Sequence, residues 1–583
     1  MVRRSILGSL FLAALVAGCG SSSGGESGTG GAGGSRGPAA RELLVQTSFG
    51  PVEGFENEGV FSYRSIPYAA PPLGELRWKP PVEPAPWTET LATTERPNGC
   101  VQAAFNGLPI PGFVAGEDCL YINVDTPTAG SDLPVMVWIH GGGFTLGEGV
   151  QADGGTAGKL IAQQTDTVVV SMNYRLGQLG LLAHSALSAE SETGASGNYG
   201  LMDQVAALRW VQENVAAFGG DPENVTIFGE SAGAFSVCGH LTSPKSAGLF
   251  HKAILQSGSC ERPWSTLEAA EAQGDAFAGA LGCTEDEDVL ACMRAKPAKE
   301  VLDALPPGPN FGFNPSEGPS GSWWPILDGD FFTEQAADAF ASGDFNQVPT
   351  ILGFTRNEAR LFVWLGEIDQ TAPLTITEEN YELQIARLVG GDMELATRAV
   401  AEYPLADFSE PAVALAEVAT DVIFRCPGKQ EIAKIAEFAP AYLYQFEYPK
   451  VRSQLELAIQ FNVLDAELPS YGLGAFHAAD VPYVFGYSPI LGFDLSDGIE
   501  LILNEWDEGT EDERLWLEML GYFARFASTG DPNGDGALAW PLYNAASDQH
   551  LVLDNPVAVG SNAADKCAFW SGEDYLTPEL FGS

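Results

Sequence analysis

Short apolar runs alternate with helix-like segments over most of this 583-residue chain, from about residue 134 onward. The runs at 135–139, 167–170 and 224–228 consist mainly of aliphatic, β-branched and aromatic residues. This alternation is typical of βαβ units, in which parallel strands form a sheet that helices bury. Further runs lie at 253–256, 350–354 and 441–446. We therefore predict an α/β fold with a mostly parallel central sheet and helices on both faces.

One pentapeptide, Gly229-Glu230-Ser231-Ala232-Gly233, lies between an apolar run and a helical pattern. In a G-x-S-x-G turn between a strand and a helix, the glycines permit the tight backbone that exposes the serine hydroxyl above the sheet. The pattern also occurs at 20–24 and 33–37, but neither copy has a strand before it or a helix after it. Ser231 is therefore the candidate nucleophile, and an ordinary turn serine is the alternative.

Two neighbouring features suit a developing oxyanion. The amide of Ala232 lies at the start of the predicted helix, where backbone N–H groups have no intrahelical partner. The loop His140–Phe144, with the sequence HGGGF, directly follows the run at 135–139. Its glycines let backbone amides approach a substrate oxygen, although an ordinary Gly-rich turn would have the same composition.

A serine nucleophile needs a general base, which is normally a histidine. In α/β folds with this turn the chain order is nucleophile, acid, histidine, so only His477 and His550 come late enough. We expect His550 on the surface at the start of a terminal strand, whereas His477 lies in a loop after the run at 441–446. The acid candidate is Glu358, which follows the run at 350–354 by a short turn. A structural loop histidine and a solvated glutamate remain the alternatives.

Several ordered segments resemble the type-B carboxylesterases, the family of cholinesterases, mammalian carboxylesterases and bacterial para-nitrobenzyl esterases. The segments are Ile66-Pro67-Tyr68-Ala69 with Pro71-Pro72, Glu117-Asp118-Cys119-Leu120-Tyr121, Asn173-Tyr174-Arg175, and Gly197-Asn198 through Asp203-Gln204 to Phe218-Gly219-Gly220-Asp221-Pro222. The resemblance implies an α/β-hydrolase fold with long insertions that form a substrate gorge. It also implies a serine carboxylesterase that works through an acyl-enzyme intermediate, without cofactor or metal.

The resemblance assigns roles to particular residues. It implies a triad of Ser231, Glu358 and His477, and an oxyanion hole formed by the amides of Gly142, Gly143 and Ala232. Cholinesterases carry a choline-binding Trp between their first two cysteines, but residues 100–119 contain only Phe105 and Phe113 as aromatics. Choline esters are therefore not expected as the main substrate. Candidates for the acyl side of the pocket are Trp264, Trp323 and Trp324, for which core packing is the alternative.

The chain has nine cysteines, none of them in a C-x-x-C metal spacing. The family pattern implies the pairs Cys100–Cys119, Cys283–Cys292 and Cys426–Cys567. Cys238 and Cys260 are left over, and they either pair or remain unpaired, Cys238 then being a small buried side chain. An even number of cysteines remains once Cys19 is set aside, which favours export to an oxidising compartment.

The N-terminal residues carry export signals. Arg3 and Arg4 precede a short apolar stretch, and Val16-Ala17-Gly18-Cys19 resembles the lipobox of bacterial lipoproteins. We expect a signal peptide at 1–18, a lipidated Cys19 that opens a Gly/Ser-rich tether at 19–38, and a hydrolase domain at 39–583. The protein would then be anchored through Cys19 in the periplasm or at the cell surface. An ordinary secretory signal is the alternative.

The charge balance limits the partners. With 29 basic and 77 acidic side chains, the formal net charge is −48. Nucleic acid and anionic lipid surfaces would repel such a chain. The expected partner is a small-molecule ester. The competing interpretations are a non-catalytic cholinesterase-like binding or adhesion protein, and a lipase that prefers long chains.

Overall fold

The computed structural model describes residues 42–575, apart from several internal segments. The segments outside the description are 103–113, 151–157, 285–287, 306–322, 369–372, 451–468, 495–497, 535, 562–565 and 574. The predicted signal peptide, Cys19 and the tether also lie outside the described residues, as do Phe105 and Phe113. The described residues form one compact unit.

The strands are short at the N-terminus and longer from residue 121 onward. They are β1 (Leu44–Gln46), β2 (Pro51–Glu53), β3 (Phe55–Asn57), β4 (Val60–Pro67), β5 (Leu91–Ala92), β6 (Gly99–Cys100), β7 (Ala115–Gly116), β8 (Tyr121–Pro127), β9 (Leu133–Ile139), β10 (Val168–Met172), β11 (Gly220–Glu230), β12 (Lys252–Gln256), β13 (Ser265–Thr266), β14 (Ile326–Leu327), β15 (Thr350–Thr355), β16 (Ala441–Phe446), β17 (Tyr487–Asp494), β18 (Gly498–Glu505), β19 (Gln549–Leu553) and β20 (Ala558–Ser561).

Eleven of these strands form one sheet, in the order β20-β19-β16-β15-β12-β11-β9-β10-β8-β4-β3. The strands from β19 to β10 in this order run parallel to one another, whereas the strands at both edges pair antiparallel. The mostly parallel sheet predicted from the apolar runs is confirmed. Because parallel strands point the same way, the loops that follow their carboxyl ends meet along one edge.

Helices occupy the connections between these strands. They are α1 (Lys159–Thr165), α2 (Gly177–Leu181), α3 (Ser185–Glu190), α4 (Tyr199–Asn214), α5 (Ala232–Thr242), α6 (Leu267–Ala280), α7 (Val289–Arg294), α8 (Ala298–Ala304), α9 (Ala336–Ser342), α10 (Arg360–Glu367), α11 (Tyr381–Leu388), α12 (Met393–Glu402), α13 (Pro411–Thr420), α14 (Cys426–Ile435), α15 (Val481–Phe485), α16 (Glu511–Thr529) and α17 (Cys567–Trp570). A π-helical turn, Asp421–Arg425, joins α13 to α14. Across the described residues, no helix is both long enough and apolar enough to cross a membrane.

Successive side chains of a strand point to opposite faces of the sheet, and here both faces are buried. In β9, Val135 and Val137 belong to the core on the α4 and α5 side, whereas Met136 and Trp138 belong to the core on the α16 side. All four side chains are at most 2% exposed. The continuous apolar run in β9 therefore reflects a strand with no solvated face.

Candidate active site

Four loops meet at the carboxyl-end edge of the sheet and carry the predicted site residues. The HGGGF loop follows β9, Ser231 follows β11, Glu358 follows β15, and His477 lies in the long connection after β16. In the sheet order these strands lie side by side, with only β12 between β15 and β11. The parallel sheet thus brings together residues that are far apart in the sequence.

Ser231 lies on a strained turn between β11 and α5. Its φ is +54°, a left-handed value that non-glycine residues seldom adopt, and its amide donates to the Gln256 carbonyl at 2.9 Å. The flanking glycines are required by close approach, because a Cβ on Gly233 would lie 2.0 Å from the Ile139 carbonyl oxygen. A Cβ on Gly229 would lie 2.6 Å from the Gly233 carbonyl carbon. The G-x-S-x-G pattern therefore reflects the packing of this turn against β9.

Glu358 and His477 form a buried pair. His477 Nδ1 donates to Glu358 Oε2 at 2.7 Å, and the other carboxylate oxygen of Glu358 accepts the Thr355 amide at 2.7 Å. The Glu358 side chain is fully buried, and His477 is 5% exposed. Asn357 ties the two loops together, since its amide donates to the Ala475 carbonyl at 2.8 Å. This pairing leaves Nε2 as the free imidazole nitrogen.

The second imidazole nitrogen faces another carboxylate. His477 Nε2 lies 3.1 Å from Glu230 Oε1, and neither atom has a hydrogen-bond partner among the described residues. Burial lowers the pKa of His477, but the charges of Glu230 and Glu358 outweigh it and raise that pKa above its usual range. Burial raises the pKa of Glu230, and the charge of His477 offsets only part of this rise. Glu230 was not singled out from the sequence as a functional residue.

The HGGGF loop has a tight, left-handed backbone at two of its glycines. Gly142 and Gly143 have φ values of +107° and +60°, and a Cβ on Gly142 would lie 2.2 Å from the Leu146 carbonyl oxygen. The loop is anchored at both ends, because Tyr174 Oη donates to the His140 carbonyl at 2.7 Å and the Gly177 amide donates to the Phe144 carbonyl at 2.7 Å. Across from it, Ala232 is fully buried at the first position of α5.

A third buried carboxylate links the His477 loop to the nucleophile. Asp480 Oδ2 accepts the Tyr444 hydroxyl at 2.6 Å and the Gln256 side-chain amide at 3.0 Å. The backbone carbonyl of the same Gln256 holds the Ser231 amide. Asp480 therefore connects the segment that carries His477 with β12, β16 and the serine turn. The sequence analysis missed this residue.

Aromatic rings pack against the candidate base. Phe362 and Phe424 pack against the His477 ring, with centroid distances of 4.8 and 4.9 Å. Trp264 and Trp323 are buried in the core, at 6% and 3% exposure, whereas Trp324 is partly buried. Trp264 and Trp323 are therefore core residues, which was the alternative to a role in the pocket. Trp324 keeps some exposure.

The expectation for His550 was wrong. His550 lies in β19 and is 1% exposed, not on the surface. β19 pairs with β16 on one side and β20 on the other, so its residues are covered by neighbouring strands. Its Nδ1 lies 3.2 Å from the Asp548 carbonyl oxygen.

Eight cysteines form four disulfides. The pairs are Cys100–Cys119, Cys238–Cys260, Cys283–Cys292 and Cys426–Cys567. The left-over Cys238 and Cys260 are thus paired with each other. In two places among the described residues, one acidic side chain and two cysteine sulfurs lie close enough together to share a metal ion. The cysteines of both groups are in these bridges, however, and offer no free thiolate to a metal. Four disulfides indicate an exported protein.

Comparisons with known proteins identify the family of this chain. A family model described as the carboxylesterase family matches residues 41–570. The chain is 34% identical to the mouse (Mus musculus) pyrethroid hydrolase Ces2a, over 88% of this chain and 87% of that protein. It is 33% identical to the human (Homo sapiens) cocaine esterase, over 88% and 87%. A solved PNB esterase superposes with a TM-score of 0.70 at 31% identity, over 90% of this chain and 98% of that one.

The residues matched by the family model, 41–570, include the sheet, the serine turn and the loops that carry Glu358 and His477. The sheet and its helices accordingly have the α/β-hydrolase fold, as predicted. The chain belongs to the carboxylesterase family and is a carboxylic ester hydrolase.

Proposed function

We propose that the chain hydrolyses carboxylic esters through an acyl-enzyme intermediate, with Ser231, His477 and Glu358 as its catalytic triad. The observation that carries the proposal is the buried Glu358–His477 pair, whose Nδ1–Oε2 distance is 2.7 Å. A carboxylate bonded to Nδ1 fixes the tautomer that leaves Nε2 as the base. A strained turn of this kind raises the serine hydroxyl above the sheet, where that base can reach it.

In the first half of the reaction, His477 Nε2 accepts the proton of Ser231 Oγ while Oγ bonds to the ester carbonyl carbon. The carbonyl oxygen becomes an oxyanion, and we assign its binding to the amides of Gly142, Gly143 and Ala232. Removing one such donor from comparable sites costs about 10² to 10³ in kcat. His477 then gives its proton to the alcohol oxygen, the C–O bond breaks, and the alcohol leaves.

In the second half, a water molecule repeats the sequence on the acyl-enzyme. His477 takes one proton from the water, the hydroxyl oxygen bonds to the acyl carbon, and the acid leaves as Ser231 Oγ regains its proton. Glu358 accepts the Nδ1 hydrogen bond and stabilises the imidazolium at both stages. No other group needs to accept or donate a proton.

Replacing the nucleophile tests the assignment. Ser231→Ala should lower kcat for para-nitrophenyl acetate by roughly 10⁶-fold, as losses of triad serines do elsewhere. Ser265→Ala, at a serine of β13 outside the site, is the matched control and should keep the activity. Undiminished turnover by Ser231→Ala would overturn the proposal.

Covalent labelling tests the acyl-enzyme route at the nucleophile itself. A fluorophosphonate should phosphonylate the wild-type chain on one serine, and peptide mapping should place the label on Ser231. Ester hydrolysis that survives complete labelling, or a label on a serine other than Ser231, would overturn the triad assignment.

We also propose that the exported chain is held at the membrane by a lipidated Cys19, as the sequence Val16-Ala17-Gly18-Cys19 suggests. A phase-separating detergent extract of the expressing bacteria should contain the wild-type protein in its detergent phase. Cys19→Ala should appear in the aqueous phase. Equal partition of both proteins would leave an ordinary secretory signal as the explanation.

A further inference from the structure

The side-chain amide of Gln102 holds a residue just after the HGGGF loop. Gln102 Oε1 accepts the Gly147 amide at 2.8 Å, and Gln102 Nε2 donates to the Gly147 carbonyl at 2.9 Å. Gln102 itself is buried, at 8% exposure. Because a glutamine amide has both a donor and an acceptor, its two bonds to one residue fix the position and the orientation of that residue. Gln102 therefore holds Gly147 as a neighbouring strand would.

Gly147 packs against the beginning of the HGGGF loop. A Cβ on Gly147 would lie 2.3 Å from His140 Nδ1 and 2.5 Å from the Gly141 carbonyl oxygen. The preceding residue, Leu146, is equally close to Gly142, because its amide donates to the Gly142 carbonyl at 3.1 Å. The loop thus folds back on itself. Contacts this close leave no free space, so a displacement of Gly147 also displaces Gly142.

Gln102 is in turn fixed by the disulfide between Cys100 and Cys119. Cys100 lies two residues before Gln102, and its carbonyl accepts a second bond from Gln102 Nε2 at 3.1 Å. Both cysteines are buried, at 3% and 1% exposure. Their disulfide ties β6, which contains Cys100, to the residue just before β8. The disulfide, the glutamine and the HGGGF loop therefore form one connected path.

We propose that Gln102 is a positioning residue for the oxyanion hole: its two bonds to Gly147 set the amides of Gly142 and Gly143, and the Cys100–Cys119 disulfide holds Gln102 in place. This inference rests on the proposed function, in which those amides bind the oxyanion. Such donors are effective only when they already point at the place where negative charge develops. Because that charge develops in the transition state, loss of the Gln102 amide lowers kcat and leaves KM nearly unchanged.

The first test is Gln102→Leu, which keeps most of the side-chain volume and removes both bonds to Gly147. Arg96 still pairs with Glu148 at 2.7 Å in this variant, so the loop shifts rather than unfolds. A misplacement of about 1 Å can cost about 10²-fold, and we expect kcat for para-nitrophenyl butanoate to fall at least about 10-fold. KM should change little.

A matched pair of inhibitors isolates the effect on the oxyanion. Trifluoromethyl hexyl ketone is attacked at its carbonyl carbon by Ser231 Oγ, the serine proton passes to His477, and the carbonyl oxygen becomes an oxyanion. The corresponding secondary alcohol has the same chain but cannot form this adduct. The Ki of the ketone should rise in Gln102→Leu by about the factor by which kcat falls, whereas the Ki of the alcohol should stay unchanged.

Gln212→Leu is the matched control, because it removes a glutamine amide with two backbone partners outside the site. Gln212 Nε2 donates to the carbonyls of Pro222 and Leu249, at 2.9 and 3.0 Å. This variant should keep kcat and the Ki of the ketone, whatever its effect on thermal unfolding. It therefore separates a general loss of stability from a displaced oxyanion hole.

Unchanged kcat and ketone Ki in Gln102→Leu, or equal increases in the Ki values of ketone and alcohol, would overturn the inference. Either result would leave the triad standing, since Ser231→Ala tests the triad independently. If Gln102→Leu does not fold, Gln102→Glu keeps the size of the side chain and an acceptor for the Gly147 amide. It loses the donor to the Gly147 carbonyl, and the same comparison of ketone and alcohol then applies.

The role of the disulfide is tested by the double variant Cys100→Ala/Cys119→Ala. It should lower kcat as Gln102→Leu does, because Gln102 loses its anchor. Adding Gln102→Leu to the double variant should lower kcat little further, since changes along one connected path are not additive. Additive losses would overturn the part of the inference that assigns the disulfide to this path.

Discussion

At the scale of single residues, Glu230 is the group that most affects the candidate base. Its carboxylate faces His477 Nε2 at 3.1 Å and raises the pKa of the imidazole. His477 must be neutral to accept the serine proton, so a raised pKa moves the acid limb of the pH–rate profile upward. Glu230→Gln removes that charge and should shift the acid limb of kcat/KM to lower pH, by about one unit or more.

The measurement is kcat/KM for para-nitrophenyl butanoate between pH 4 and pH 9. Glu223→Gln, at a side chain that is 85% exposed, removes one charge from the surface and should leave the limb in place. An acid limb that stays put or moves upward in Glu230→Gln would show that Glu230 does not set the pKa of His477.

Asp480 acts on the site indirectly, as a positioning residue. Asp480→Ala would leave the Tyr444 hydroxyl and the Gln256 amide without their acceptor, and an unsatisfied buried donor costs about 1 to 3 kcal/mol. We expect kcat to fall about 10-fold with little change in KM, because the His477 loop loses its tie to β12. Asp480→Asn keeps an acceptor oxygen and should restore most of kcat.

Tyr444→Phe removes only one of the two donors to Asp480 and should give an intermediate kcat. Stopped-flow measurement of the acylation burst distinguishes positioning from loss of fold, since an unfolded fraction lowers the burst amplitude and a misplaced base lowers its rate. A lower amplitude with an unchanged rate in Asp480→Ala would assign Asp480 a purely structural role.

A functional residue could be predicted where a local sequence pattern specifies its residue type. Ser231 was predictable because a strand, a glycine turn and a helix coincide there. Glu230 occupies the x position of that pattern, for which the pattern specifies no residue type. Asp480 owes its place to partners 36 and 224 residues away, which no local spacing reveals. His550 is buried by strand neighbours that were not foreseen.

At the scale of elements, the turn between β11 and α5 depends on Gly233. A Cβ there would meet the Ile139 carbonyl oxygen at 2.0 Å, so Gly233→Ala must push α5 away from β9. That movement displaces Ser231 and the Ala232 amide together. A misplacement of about 1 Å can cost about 10²-fold, and we expect a loss of at least that size in kcat/KM for short esters.

A second glycine in a helix provides the control. Gly279 lies in α6, where a Cβ would meet only Thr284 at 3.6 Å, an ordinary contact. Gly279→Ala should keep full activity and gain about 0.5 to 1 kcal/mol in stability, since alanine favours helix over glycine. Thermal unfolding of both variants should show a folded protein. If Gly233→Ala kept wild-type kinetics, the close approach of Gly233 to the Ile139 carbonyl oxygen would not constrain the turn.

The longer elements could be predicted, and the short ones could not. The run at 441–446 coincides with β16, and the run at 224–228 lies inside β11, which extends over Gly220–Glu230. Such strands are buried on both faces, so their composition alone identifies them. Strands of two or three residues, such as β1 and β5, depend on pairing with distant segments. The π-helical turn at Asp421–Arg425 likewise has no apolar period of its own.

At the scale of the whole molecule, the large excess of negative charge opposes folding, and the fold forms in spite of it. The 29 basic side chains cannot neutralise 77 acidic ones, and several cations already pair with carboxylates inside the structure, as Arg175 does with Asp203. The surface that remains is strongly negative. Self-repulsion of this kind destabilises a compact state without preventing it from forming.

Salt should therefore stabilise the protein. Mobile ions reduce the Debye length from about 10 Å at 0.1 M to about 3 Å at 1 M, which screens repulsion between surface carboxylates but affects buried pairs such as Glu358–His477 far less. We expect the midpoint of thermal unfolding to rise steadily with sodium chloride up to about 1 M, while kcat/KM for neutral esters stays nearly constant. Potassium chloride at equal ionic strength should act alike, because screening depends on ion charge. A midpoint that is flat or falls with salt would mean that the carboxylates are spaced too widely for their repulsion to oppose folding.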